Sequence, residues 1–245
     1  MKHWEFQILP MCLNPLNIQE SAIFVADSHF NQQRDAFYLF LEQLKNKTID
    51  TPQLFLMGDM FEFVTQESYY FVVQNKKVIT LLNELSLTME IIYLEGNHDY
   101  NLNKLFPKIL VIPRKLQPMV ASYNQQKVAL SHGDNFTPFF YNLYCKIIRN
   151  KPLLVFLNAI DFNHWLSKRI DKALSAKNIC HTFTHFEEWV EKRLEHYDAD
   201  LIIEGHFHQG KEFVFAHKRY VNVPSLFCSQ EYLILQNNQF IKKGI

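Results

Sequence analysis

Five short apolar runs in this chain are each followed at once by polar residues that can bind a metal ion. The runs occupy residues 22–26, 53–57, 90–94, 127–130 and 201–203. They are too short for helices and suit buried strands, while helical patterns lie between the first three, at 34–44 and 69–85. Alternating strands and helices predict an α/β layered fold.

The polar clusters are built from aspartate, asparagine, histidine and glycine. They are Asp27-Ser28-His29, Gly58-Asp59, Gly96-Asn97-His98-Asp99, His132-Gly133-Asp134 and Gly205-His206-Phe207-His208. Ligands of α/β proteins gather at the carboxyl ends of the strands. We therefore expect the five clusters to converge, although they are far apart in the sequence. In the D-x-H and H-x-H patterns, alternate residues of an extended strand point to the same side.

These residue types predict a metal site without thiolate ligands. The candidate ligands are Asp27, His29, Asp59, Asn97, His132, His206 and His208. Oxygen and imidazole ligands favour manganese, iron, zinc or nickel, and a carboxylate such as Asp59 can bridge two cations. Two cations about 3.5–4 Å apart can stabilise an in-line displacement at phosphorus and acidify a water molecule. A single D-x-H or H-x-H pair arises easily by chance, so the prediction rests on the ordered set.

The composition excludes some classes of protein. With 25 basic and 25 acidic residues among 245, the chain has no general attraction to nucleic acid, and we expect no such partner. The four cysteines are far apart and form no C-x-x-C pair, which predicts a reduced protein without disulfides or a thiolate zinc site. The sequence contains no convincing signal peptide and no apolar stretch of about 18 residues. We therefore expect a cytoplasmic protein that at most rests on a membrane surface.

A segment rich in helical patterns, residues 139–197, separates the fourth cluster from the fifth. It combines Phe, Leu and Trp with interspersed basic residues, and Pro152 is expected to begin a new helix. We interpret residues 139–197 as a helical lid inserted into a single domain that spans 1–245. A plain helical insertion that packs on the scaffold is the alternative. Further strands are predicted at 212–216, 219–223 and 231–235.

The ordered motifs D-x-H, G-D, G-N-H-D, H-G-D and G-H-x-H resemble those of the calcineurin-like metallophosphoesterase superfamily. The resemblance implies a two-sheet α/β sandwich with a dinuclear site. It places Asp27, His29 and His208 with Asp59 on one metal. It places Asn97, His132 and His206 with Asp59 on the other. It also implies that His98 acts beside the reacting phosphate and that Asp99 orients His98.

Within this superfamily the chain most resembles the UDP-2,3-diacylglucosamine hydrolases. The block Gly58-Asp59-Met60-Phe61-Glu62 is similar to their G-D-L-F-E, and residues 141–172 are similar to their acyl-binding lid. The resemblance implies hydrolysis, with two Mn²⁺ ions, of an acylated nucleotide sugar in lipid A biosynthesis. The products would be 2,3-diacylglucosamine 1-phosphate and UMP, formed at the cytoplasmic face of the inner membrane. Candidate substrate contacts are Tyr141, Arg149, Lys168 and Arg169.

The chain departs from that family in three places. Many members carry Arg at the position of His98, a Trp with an acidic run at 63–65, and Arg-Pro at 209–210. These departures leave the ligands intact and bear on the substrate. One alternative is therefore another phosphodiesterase or phosphatase that acts on a soluble phosphoester. A second is an interaction scaffold without catalysis, although such scaffolds have typically lost ligands that this chain retains.

Overall fold

The computed structural model describes residues 16–245, in which two six-stranded sheets are stacked with helices on their outer faces. Residues 1–15, including Cys12, lie outside the described part. The strands are β1 Leu16–Asn17, β2 Ile23–Val25, β3 Gln53–Leu56, β4 Val64–Thr65, β5 Glu90–Leu94, β6 Asp99–Tyr100, β7 Leu110–Ile112, β8 Met119–Tyr123, β9 Gln126–Ser131, β10 Leu201–Glu204, β11 Glu212–Phe215, β12 Lys218–Asn222, β13 Glu231–Gln236 and β14 Gln239–Gly244. The helices are α1 Ala36–Lys45, α2 Tyr69–Gln74, α3 Lys76–Leu85, α4 Phe139–Ile148, α5 Lys151–Ala159, α6 Trp165–Ser175, α7 Phe186–Arg193 and α8 Leu226–Ser229.

The first sheet has the strand order β14-β13-β2-β3-β5-β7. Strands β2, β3, β5 and β7 of this sheet are parallel, a pairing that needs crossover connections between successive strands. Helices α1 and α3 cover its outer face through a cluster of buried apolar side chains that includes Phe37, Phe40 and Leu82. The first three predicted strands are therefore confirmed.

The second sheet has the order β1-β8-β9-β10-β12-β11 and contains the other two predicted strands, β9 and β10. Its inner face packs on the inner face of the first sheet, where Phe24 and Phe55 meet Leu130 and Ile203. Strand β13 pairs with β2 and so joins the first sheet, whereas β11 and β12 close the second. The α/β sandwich expected from the resemblance is confirmed.

The helical segment divides into two parts with different packing. In α4, α5 and α6 the buried residues are Cys145 and Ser167 alone. Helix α7 instead packs on the outer face of the second sheet, where Phe186 and Val190 contact Ile202 and Tyr220. The last helix of the segment predicted as a lid thus belongs to the scaffold, and the name "lid helices" is used below for α4–α6.

Two expectations from the sequence were wrong. The helical pattern at 69–85 is interrupted at Asn75, whose side-chain amide donates to the carbonyl oxygens of Phe71 (2.8 Å) and Phe63 (3.2 Å). Side chains that bond the backbone in this way compete with helical hydrogen bonds. The second concerns disulfides: Cys180 in the loop after α6 is joined to Cys228 in α8, 48 residues later. Such a separation leaves no local motif, so only the fold reveals the pair.

Cys145, by contrast, is a free buried thiol. Within residues 16–245, no helix combines the length and apolar character needed to cross a bilayer.

Candidate metal centre

The predicted ligands meet at one edge of the sandwich. Each follows the carboxyl end of a strand: β2, β3 and β5 in the first sheet, β9 and β10 in the second. Because the two sheets are stacked, these ends lie side by side. Three groups of side chains have ligand atoms within 4.8 Å of one another: Asp27 with His29 and His208, Asp59 with His132 and His206, and His29 with Asp59 and His98.

The first half-site contains Asp27, His29 and His208. Nε2 of His208 lies 3.3 Å from Oδ1 of Asp27. Nδ1 of His208 lies 2.9 Å from the carbonyl oxygen of Ile179, to which it donates. A donating Nδ1 leaves the lone pair of Nε2 directed toward the carboxylate, which is how protein carbonyls commonly orient metal-binding histidines.

The second half-site is arranged in the same way. Nδ1 of His132 donates to the carbonyl oxygen of Met57 at 2.9 Å. Its Nε2 then faces three candidate ligand atoms: Nδ1 of His206 at 3.1 Å, Oδ1 of Asn97 at 3.3 Å and Oδ2 of Asp59 at 3.4 Å. The backbone N–H of His206 also donates to Oδ2 of Asp27 at 2.7 Å, which ties the two half-sites together.

Asp59 occupies the position expected of a bridging carboxylate, because it belongs to groups on both sides of the site. Its Oδ1 accepts the backbone N–H of His98 at 2.8 Å. Gly96 lies against it so closely that a Cβ there would be 2.2 Å from Oδ1 of Asp59. The glycine of the G-N-H-D motif is therefore required by a close approach to this carboxylate.

Unpaired buried atoms indicate that this donor set fits metal ions. Oδ1 of Asp27 and both ring nitrogens of His29 are buried and have no hydrogen-bond partner among residues 16–245. Buried polar atoms are ordinarily paired, whereas atoms that coordinate a cation need no hydrogen bond. The set of carboxylate, imidazole and amide groups suits divalent transition metals.

The electrostatics of the site favour a bound positive charge. Burial lowers the pKa of His29 to about 3, and burial together with His132 lowers that of His206 to about 4. Both imidazoles are thus neutral, as metal binding requires. Burial opposes ionisation of Asp59, but neighbouring histidines, His132 first, hold its pKa well below its usual range. Burial also lowers the pKa of His132, yet the Asp59 charge raises it well above normal, so a metal ion would replace a proton there.

The backbone is strained at most of the ligand positions. Asp27, His29, Asp59, His206 and His208 all have positive φ, between 44° and 65°. Non-glycine residues adopt this left-handed conformation rarely, and such residues cluster at functional sites. The turns after the strands thus place these side chains at the edge of the sheet instead of continuing the pleat.

His98 and Asp99 have different surroundings from those expected. Nδ1 of His98 lies 2.7 Å from the carbonyl oxygen of Glu62, so this carbonyl orients the ring. Asp99 instead accepts the backbone N–H groups of Asp59 (3.0 Å) and Gly96 (2.8 Å). The prediction that Asp99 orients His98 is wrong, because the Asp99 carboxylate is engaged by these backbone N–H groups and the His98 ring is held by the carbonyl oxygen of Glu62. Asp99 holds the loops that carry Asp59 and Asn97.

A buried ion pair behind the site was not apparent from the sequence. Nε of Arg193, at the end of α7, donates to Oε2 of Glu204 at 2.7 Å. Nη2 of Arg193 donates to the carbonyl oxygen of Gly133 at 2.8 Å. The pair therefore braces the loops that carry His132 and His206. A single arginine in an amphipathic helix gives no recognisable signal before the fold is known.

The lid helices enclose a largely apolar cavity of about 480 Å³ that reaches the metal centre. Leu153, Leu157 and Leu174 line its apolar part, while His98 and Tyr141 line the end beside the ligands. Of the other candidate substrate contacts, Lys168 and Arg169 are exposed on α6 and do not line this cavity. Arg149 points elsewhere, with Nη2 donating to the carbonyl oxygen of Gly96 at 2.7 Å.

Comparisons with known proteins agree with this geometry. A model of the calcineurin-like phosphoesterase family matches residues 21–210. A UDP-2,3-diacylglucosamine hydrolase of Wigglesworthia glossinidia brevipalpis is 26% identical to this chain, in an alignment that covers 82% of this chain and 84% of the hydrolase. The hydrolase of the same name from Vibrio atlanticus is 23% identical, in an alignment that covers 76% of this chain and 80% of the hydrolase. A solved archaeal phosphodiesterase aligns with 92% of this chain and 99% of its own at 11% identity, with a TM-score of 0.47, too low to add to the fold assignment.

Proposed function

The chain belongs to the calcineurin-like phosphoesterase family and is a metal-dependent phosphoesterase, and on that premise we propose that it hydrolyses UDP-2,3-diacylglucosamine. The pyrophosphate bond would be cleaved to give 2,3-diacylglucosamine 1-phosphate and UMP in lipid A biosynthesis. The names of the curated relatives support this substrate, at 23–26% identity for the two described above.

The observation that carries the proposal is the cavity under the lid helices. Its walls are mainly leucine and isoleucine side chains, and its polar end contains Asn97, His98 and Tyr141. A ligand with an acyl chain at one end and a phosphate at the other matches this distribution. Each buried methylene contributes about 0.8 kcal/mol, so part of one acyl chain is enough to dominate binding.

The side chains at the polar end have distinct tasks in this proposal. Two divalent cations, which we propose to be Mn²⁺, supply Lewis acidity toward the phosphoryl oxygens and acidify the attacking water. Because Nδ1 of His98 donates to Glu62, its Nε2 is free to carry a proton to the leaving oxygen or to contact the phosphate. The hydrogen bonds that Asp99 accepts hold the loops of Asp59 and Asn97 in fixed positions relative to each other during hydrolysis.

The outer surface of the lid helices supports an encounter with a membrane. Phe139 and Phe140 on α4, Trp165 on α6 and Phe162 between α5 and α6 are exposed, and α6 also carries exposed basic residues such as Lys168. Exposed aromatic side chains with basic neighbours bind anionic bilayers, where each basic residue contributes about 1 kcal/mol. We propose that the protein rests on the cytoplasmic face of the membrane that holds its substrate.

The location has its own test because disulfides are rare in reducing compartments. If the protein is cytoplasmic, the Cys180–Cys228 disulfide is expected to be reduced there, so that both thiols react with a maleimide reagent added to fresh lysate. A pair that stays blocked in such a lysate would argue for an oxidising location instead.

Three substrates test the activity of the Mn²⁺-loaded protein. UDP-2,3-diacylglucosamine is compared with UDP-N-acetylglucosamine, which has a pyrophosphate but no long acyl chain, and with bis(p-nitrophenyl) phosphate. Four buried methylenes alone correspond to about 10²-fold in kcat/KM, so the acylated nucleotide should be preferred by at least that factor. Equal cleavage of the two nucleotide sugars would refute the lipid substrate and leave a phosphoesterase for soluble esters.

A further inference from the structure

A second large cavity lies on the other side of helix α4, with a volume of about 660 Å³. Its charged lining residues are Arg114, Lys115, Lys146, Arg149, Lys151 and Glu95. No residue lines both this basic pocket and the apolar cavity under the lid helices. The chain as a whole has as many acidic as basic residues. This cavity, by contrast, is lined by five cationic side chains and one acidic side chain, so positive charge is concentrated there.

The cationic side chains of the basic pocket are poorly neutralised. Two arginines share one carboxylate: Nε of Arg114 lies 2.7 Å, and Nη2 of Arg149 3.4 Å, from Oδ2 of Asp134. Lys115, Lys146 and Lys151 form no ion pair within residues 16–245. Glu95 is the single acidic residue among those that line the pocket, and its Oε1 accepts the backbone N–H of Leu102 at 3.0 Å. The cavity therefore has a clear excess of positive charge.

Arg149 has donors that the protein leaves unused. Its Nε and Nη1 are buried and have no hydrogen-bond partner among the described residues. Unsatisfied buried donors are uncommon and costly in proteins. Nη2 of Arg149 meanwhile bonds the carbonyl oxygen of Gly96, next to the metal ligand Asn97. An anion in the basic pocket would thus lie directly behind a loop of the metal centre.

We propose that the basic pocket is a second phosphate-binding site, separate from the site where the phosphoester is cleaved. Lysine and arginine side chains are the residues that proteins use to bind phosphate groups. Asn103 and Asn150 also line the pocket, and their side-chain amides can bond the group that carries the phosphate. A soluble nucleotide and an anionic lipid headgroup both present this chemistry. The site is independent of which ester the metals cleave.

The test compares two double variants of the full-length, Mn²⁺-loaded protein. Lys146→Gln/Lys151→Gln removes two charges from the basic pocket, while Lys108→Gln/Lys192→Gln removes two from exposed positions elsewhere. Binding is measured by calorimetry with UMP and with dihexanoyl phosphatidylglycerol below its micellar concentration. Dihexanoyl phosphatidylcholine, which has no net charge, reports the contribution of the acyl chains. All four lysines are exposed, so thermal unfolding should be unchanged and serves as the folding control.

Removing one basic residue near an anionic group weakens binding by roughly fivefold, so the pocket variant should lose about tenfold or more and the control variant about twofold or less. UMP can bind at the metal centre as well as in the basic pocket, so the wild type should show two classes of UMP sites. The pocket variant should lose the class that belongs to the basic pocket.

A loss of binding for UMP alone identifies a soluble phosphate ester as the ligand, and a loss for the phosphatidylglycerol alone identifies a lipid headgroup. Isotherms that match those of the control variant for both probes would overturn the proposal. Cleavage of the three substrates above is scored separately, so the two proposals can fail independently.

Discussion

At the metal centre Asp27 and His132 are completely buried, whereas on the lid helices Phe139 and Phe140 are 73% and 81% exposed. Proteins ordinarily do the reverse, because burying charge and exposing large apolar groups both cost free energy. In the first region backbone carbonyls orient histidine rings through hydrogen bonds, and the buried ligand atoms without a partner are available to metal ions. In the second nothing in the described chain covers the apolar side chains. The comparison teaches that the metal centre is organised by the fold itself, while the lid helices present apolar side chains that the described chain leaves uncovered.

The largest effect should follow from removing the carboxylate shared by both half-sites. Asp59→Ala is expected to lower kcat on bis(p-nitrophenyl) phosphate by more than about 10³-fold, since metal ions contribute several kcal/mol to such reactions. Mn²⁺ content measured by atomic absorption should fall as well. Chelation of the wild type followed by Mn²⁺ should remove and restore activity. The control is Asp198→Ala, which changes a fully exposed carboxylate. Full activity in the chelator would contradict a metal centre altogether.

The next effect concerns a residue beside the metals that is not a proposed ligand. His98→Gln keeps a donor that can reach the carbonyl oxygen of Glu62 but removes the imidazole. We expect kcat to fall by roughly 10²–10⁴-fold, the usual contribution of a positioned acid or base, while Mn²⁺ content stays constant. His185→Gln, at an exposed position, is the control. Turnover close to that of the wild type would leave His98 with a packing role only.

The third prediction compares how much a buried ion pair and an exposed ion pair contribute to the stability of the fold. Arg193→Met leaves Glu204 buried without its cation, which typically costs 3–5 kcal/mol, or a fall in Tm of about 10 °C for a chain of this size. Arg219→Met breaks the more exposed pair with Glu212 and should cost about 1 kcal/mol or less. Thermal unfolding followed by circular dichroism measures both. Equal shifts would mean that the pair behind the metal centre adds no more than a surface ion pair.

The smallest effect distinguishes the two faces of helix α5. Leu157 lines the apolar cavity, whereas its neighbour Phe156 is exposed and does not line it. Leu157→Gln is expected to lower kcat/KM for the acylated nucleotide by about tenfold, because it removes one apolar side chain from the wall that an acyl chain would contact, and to leave bis(p-nitrophenyl) phosphate cleavage unchanged. Phe156→Gln should instead weaken sedimentation with anionic vesicles. Parallel losses on both substrates for Leu157→Gln would assign the helix to the fold alone.

The same contrast explains which features the sequence could predict. The seven candidate ligands were visible because each comes directly after a buried strand, and neighbouring strands bring them to the same edge. The helical patterns of residues 139–197, with their Phe, Leu and Trp side chains, likewise predicted that the lid helices are helical and rich in apolar residues. Both signals are local, so they need no knowledge of which segments meet.

Contacts between distant segments gave no such signal. Asp99 was expected to orient His98, yet its carboxylate accepts the backbone N–H groups of Asp59 and Met60, which lie 40 and 39 residues away. The bond between Cys180 and Cys228 and the charges of the basic pocket likewise come from separate segments. These features depend on side-chain directions and loop positions, which apolar patterns do not specify.

The hydrogen bond from His206 to Asp27 joins residues 179 positions apart, and this separation has a consequence during synthesis. Bacterial and eukaryotic ribosomes add about 5–20 residues per second, so roughly 10–40 seconds pass between the appearance of Asp27 and that of His208. Throughout that interval a nascent chain holds only part of the ligand set. The complete ligand set is therefore assembled late in synthesis, and a chain that ends at a premature stop before residue 208 lacks at least one of the seven candidate ligands.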